Sequence, residues 1–184
     1  DPAGKIESRM TYKYDKNNNI IEEIEPYPLF ELFDYKISGT ISKEGIASLK
    51  YETKRIKGSP IEMLNDFKVV LNNDKNQDKQ EFCGDLRVDF RVFDRDPSSI
   101  DGLIERGLKD PTTGEFIGKR EARIILDTYN GIGVYRNGFR IRPLGDAGFD
   151  WLYLDNERVQ NPSWKVGCDQ VIGFIHIESE EKSG

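Results

Sequence analysis

Apolar and polar positions alternate most sharply between Cys83 and Phe93, where Leu86, Val88, Phe90 and Val92 interleave with Asp85, Arg87, Asp89 and Arg91. A period of two predicts a strand with one face in the core, and it places the charged residues on a solvated face where they pair with one another. A second alternating stretch, Gly133-Val-Tyr-Arg-Asn-Gly-Phe-Arg-Ile-Arg-Pro143, breaks at Asn137-Gly138. Asn-Gly accepts positive φ at both central turn positions, so this stretch predicts a hairpin. Val171 to Ile177 is almost continuously apolar and bounded by polar residues, as in a strand buried on both faces.

The remaining pattern is less regular. Phe33 to Ile41 and Gly45 to Glu52 read as a second hairpin around Ser42-Lys43-Glu44. Ser59-Pro60-Ile61-Glu62 has the form of a capping box, and Ile61, Leu64, Phe67 and Leu71 recur near helical spacing, which predicts a short helix. Another helix starts at Ser98 or Ser99 and stops at Gly107; a third spans Lys119 to Asn130 with Ile117, Ile124, Ile125 and Tyr129 on one face. Asn72 to Glu81 contains no apolar residue and predicts a mobile loop near residues 72–82. Asp110 to Gly114 reads as a loop, and the stretch between Pro143 and Gln170 as irregular.

Strands and helices mix without strict alternation. This predicts an α+β fold, one mixed or antiparallel sheet with helices packed on one face. The expected organisation is a lead-in over residues 1–30, with a turn at Asp15 to Asn19, one domain over 31–178, and a polar tail over 179–184. The chain begins at Asp1 rather than Met and ends in a polar run, as expected of a piece of a longer protein.

Composition narrows the function classes. With 27 Lys and Arg against 33 Asp and Glu, the net charge is -6, which disfavours a nucleic-acid partner on average. No apolar run reaches the ~20 residues that cross a bilayer, and no signal peptide is recognisable, so a cytoplasmic protein is expected. Cys83 and Cys168 lack the spacing of a zinc site or a disulfide framework and read as reduced thiols near the core. Pro162 blocks the glycosylation triplet at Asn161.

The glycines of the central hairpin fail as a nucleotide loop. Gly131 and Gly133 are followed by Gly138 two places too late for a dinucleotide fingerprint, and the order is helix then strand. Gly133 to Gly138 has the interval of a phosphate-cradling loop, but Phe139 and Arg140 stand where Lys and Ser or Thr are needed. The only histidine, His176, lies in an apolar run without a nucleophile motif, so neither a triad nor a histidine metal site is expected. No catalytic residue and no metal ligand is assigned. Arg136, Arg140 and Arg142 form the one cationic run, with Arg140 and Arg142 on one hairpin face and Phe139 and Ile141 on the other. Their guanidinium forks either grip a phosphate or carboxylate or pair with neighbouring acidic residues.

Val134 to Pro143, Asp150-Trp-Leu-Tyr-Leu-Asp155, Arg158-Val-Gln-Asn-Pro162 and Gln170 to Glu178 together resemble the region after the ATP-binding domain in bacterial GHKL-type ATPases. These proteins are related to the ninety-kilodalton heat-shock chaperone, the gyrase B subunit and MutL. The resemblance covers residues 131–178 and extends to the strand at 83–95. It implies a transducer, or middle, domain with a ribosomal-protein-like α+β fold, in which Asn137 and Gly138 form a structural turn. It also implies ATP and Mg for the full-length protein and no cofactor in this fragment, which is part of an ATPase and not catalytic alone. The implied partner is the protein's own N-terminal ATP-binding domain; the resemblance also allows a homodimer and a client protein. The γ-phosphate sensor is expected just beyond Glu178, while Arg158 and Lys165 match its place only loosely. A second reading is a stand-alone protein- or nucleic-acid-interaction module that uses the arginine-bearing hairpin face.

Overall fold

The computed structural model describes residues 11–14, 16–17, 20–24, 27–69 and 84–177. The loop expected near residues 72–82, Cys83 and the polar tail lie outside the described residues. Nine strands are present among them: β1 (Thr11–Tyr14), β2 (Ile20–Ile24), β3 (Tyr35–Ile41), β4 (Ile46–Thr53), β5 (Glu62–Lys68), β6 (Leu86–Val92), β7 (Gly131–Arg136), β8 (Phe139–Ile141) and β9 (Val171–Ile177). The helices are α1 (Pro97–Glu105), α2 (Lys119–Tyr129) and α3 (Leu154–Gln160), with 3-10 turns at Pro28–Glu31 and Cys168–Gln170.

β1 and β2 pair as a two-stranded hairpin where the pattern gave only a lead-in. The other seven strands form one mixed sheet in the order β5-β4-β3-β6-β9-β7-β8. The α+β class expected from the pattern is therefore the class observed. β6 lies at the centre, antiparallel to both β3 and β9, while β9 runs parallel to β7.

The core sits between this sheet and the helices. Phe93, Ile172 and Phe174 pack against Ile100 and Leu103 of α1, Ala122, Ile125 and Leu126 of α2, and Leu29, Phe30 and Phe33 around the first 3-10 turn. Tyr129 closes one side against Tyr27 and Phe30, with ring centroids 5.6 and 6.2 Å away. Burying these side chains is the main stabilising term, about 1.5–3 kcal/mol for each large one.

The helix ends follow from local chemistry. α1 is capped by Asp96, whose carboxylate accepts the Ser98 and Ser99 N–H groups at 3.0 and 3.1 Å, with Pro97 at the first turn. The cap is thus Asp96 and not Ser98 or Ser99. Gly107, at φ 107°, stops the helix as expected. In α2 the buried stripe is Ala122, Ile125 and Leu126, and Ile124 points to solvent, which corrects the face assigned to it.

The stretch after Ser59-Pro60 is not a helix. It forms β5, an edge strand exposed along its length, paired antiparallel with β4. The pairing register slips between Ala47 and Leu49, so Leu64 sits opposite Leu49 and Phe67 opposite Ala47. An extra residue in the bulge, where Asp66 has φ 56°, turns the strand period of two into a spacing of three. That spacing imitates a helix.

The charged face of β6 is also corrected. Arg91 is only 3% exposed and pairs with Asp89, which Lys36 approaches at 3.6 Å. Arg91 and Asp89 stand opposite Ile172 and Phe174 of the core on β9, so this end of the charged face is covered, while Asp85 and Arg87 at the other end stay exposed.

Candidate functional site

Two of the four stretches singled out above, Val134 to Pro143 and Gln170 to Ile177, meet at β7 and β9. Asn137 and Gly138 take φ 49° and 79°, so the hairpin turn is the one that Asn-Gly favours. After β8 the chain folds back on the start of β7. A Cβ on Gly131 would lie 2.5 Å from the Gly145 carbonyl oxygen, and one on Gly145 would strike the backbone of Gly133. Gly131 and Gly145 thus serve a close backbone approach. The Trp151 indole N–H donates to the Ile132 carbonyl at 2.9 Å and fixes the loop.

Asp150 prepares the next turn. Its two carboxylate oxygens accept the Leu154 and Asp155 N–H groups at 2.9 and 2.8 Å, which starts α3 after Tyr153. Asp155 then reaches the second 3-10 turn, accepting the Cys168 N–H at 2.8 Å on one oxygen and its thiol at 3.1 Å on the other. Asn130, Ile132, Asp146, Phe149, Asp150, Trp151, Leu154 and Cys168 help line a cavity of about 10 Å³, room for about one water.

One carboxylate oxygen each from Asp150 and Asp155 and the Cys168 sulfur lie within 4.8 Å of one another, a donor set able to hold a metal ion. Both carboxylates already accept backbone N–H bonds, and the thiol would have to lose its proton first. Burial and the bond to Asp155 push the Cys168 thiol up to about 12, so it stays protonated at neutral pH and is a poor nucleophile. Sequence reasoning assigned no metal ligand and passed over this cluster. Its members come from two segments, Asp150 and Asp155 around the start of α3 and Cys168 in the following 3-10 turn, with no motif spacing, so only the fold brings them together.

The arginines of the hairpin are drawn into local pairs. Arg140 donates to the Gly145 carbonyl at 2.7 Å and to Asp146 at 3.0 Å, and Arg142 reaches the same Asp146 at 3.5 Å. Arg136 stands opposite Phe139 in β8 and beside Ile177 in β9. Arg158 pairs with Asp169 at 3.0 Å, and Lys165 with Glu157 at 3.4 Å. Arg140 and Arg142 thus share one carboxylate, while Arg158 and Lys165 lie apart on and beyond α3. His176 lies in β9 beside Tyr135 and opposite Arg87, with its Nδ1 buried.

Among the described residues no helix is long and apolar enough to cross a membrane. Comparison of the chain with protein-family models, with curated proteins and with solved structures finds no match.

Proposed function

We propose that this chain is the transducer domain of a GHKL-type ATPase, passing the nucleotide state of an adjoining ATP-binding domain to a change of conformation or to a partner. One observation carries the reading. The separated stretches that resemble the family, Val134 to Pro143 and Gln170 to Glu178, supply neighbouring strands of one sheet. β7 and β9 run parallel from Gly131 opposite Ile172 to Arg136 opposite Ile177. A residue mounted after β9 would inherit the rigidity of a strand held on both sides, which is what a sensor of nucleotide state needs. ATP and Mg belong, in this reading, to the adjoining domain, and this chain alone is not an enzyme.

Calorimetry tests it. The chain by itself should show no ATP binding in the micromolar range, and micromolar binding would overturn the reading. The reading also requires that the reading frame upstream of Asp1 encode a helix with Glu and Asn at metal-binding spacing and an Asp-x-Gly-x-Gly loop. The interaction-module reading has less support, because Arg140 and Arg142 are both engaged with Asp146.

A further inference from the structure

We propose that α3 and the residues after it, up to Val166, form a strap that is latched to the body by Asp155 and Arg158 and opens without unfolding the domain. α3 has no buried residue, and from Asp155 to Val166 only Arg158 is less than exposed. Its apolar side chains face away from the core: Val159 is 80% exposed and Trp164 89%. α2 differs, being anchored by Ala122, Ile125 and Leu126. Hydrophobic burial therefore holds α2 down and contributes almost nothing to α3.

What ties the strap down is polar and concentrated at one place. Asp155 accepts the N–H and thiol of Cys168, and Arg158 donates to Asp169. Asp169 is held in turn from the other side, its carbonyl accepting from Arg95, which also reaches Asp127 of α2. The three latch side chains close over Gly167, where a Cβ would lie within 2.9 Å of the ends of Arg158, Asp169 and Asp155 and would push them aside. At the other end Tyr153 enters the helix at φ 56°, a strained conformation for a bulky residue, offset by the two bonds from Asp150. Leu154 and Cys168, both walls of the cavity beside Trp151, part when the latch is released. The strap is thus a movable cover whose position is set by two side chains, and this holds whether or not the transducer reading is right.

Hydrogen exchange followed by mass spectrometry on the whole chain tests the latch. Amides of α3 should exchange at least about tenfold faster than those of α2, because they open by a smaller event. Arg158→Ala should speed α3 further and leave α2 unchanged, while Arg158→Lys, which keeps the charge, should restore most of the protection. Raising salt from about 0.05 to about 1 M should act like Arg158→Ala, since the half-exposed pair is screened. Equal protection of α2 and α3 would overturn the proposal, as would indifference of α3 to Arg158→Ala or a joint loss of protection in both helices.

Discussion

Asp34 is the residue on which three elements converge, and it is 2% exposed. Its carboxylate accepts from Arg106, just past α1, and from the Asp94 N–H after β6, each at 2.8 Å, while its own carbonyl accepts from Lys54 and Thr53 at the end of β4. Asp34→Ala would leave the Asp94 N–H without its acceptor and Arg106 without its counter-ion. We expect a loss of about 2–4 kcal/mol in urea unfolding, because breaking one half of a buried pair costs more than the pair itself contributes. Asp96 gives the clearest dependence on pH. Bonds from Ser98 and Ser99 hold its carboxyl well below the ordinary 3.8, so its contribution is present above that value and is lost as pH falls. Asp89 and Asp94 act in the opposite sense. Burial raises their carboxyls, so their contribution is present at acid pH and is lost as pH rises through the folded values. Wild type should therefore lose more thermal stability than Asp96→Asn between about pH 5 and about pH 3. An equal loss in the two proteins would remove Asp96 from the account. The Asp34 cluster was not legible in the residues alone, because Asp34 meets Asp94 and Arg106 across long sequence separations.

At the level of elements, α2 offers a direct contrast. Ile124 and Ile125 are chemically alike and adjacent, and the pattern put both on the core face, yet Ile124 is 54% exposed and Ile125 7%. Ile125→Ala should cost about 2–4 kcal/mol, and Ile124→Ala no more than about 0.5–1, by denaturant titration. Similar losses for both would mean that the helix is rotated from the arrangement described. The edge strand β5 shows why periodicity can mislead. Leu64 and Phe67 share a face because a bulge adds a residue between them, and a spacing of three with a Pro near the start has the outward form of a helix. The strands β6 and β9 and the Asn137-Gly138 hairpin were readable, because period two, an unbroken apolar run and a turn demanding positive φ are local signals. The burial of Arg91 was not, since the same alternation describes a strand with one wet face and a strand covered on both.

For the whole molecule the net charge of -6 and the pairing of Arg140 and Arg142 with Asp146 point the same way. An oligonucleotide titrated in a gel-shift assay should show no retardation; a shift that weakens steeply with salt would favour the interaction module over the relay. The sequence by itself determined the α+β class, the central hairpin and the strand that becomes β9. Those features rest on turn chemistry and on hydrophobic periodicity, which act between near neighbours in the chain. Only the tertiary structure decided the strand order, the bulge that makes β5 a strand, the partners of the buried Asp34, and the meeting of Asp150, Asp155 and Cys168 beside the latch of α3. The first three depend on residues far apart in sequence and the last on the chain turning back after α3; in each, packing and the need to pair polar groups choose among conformations that local signals leave equal.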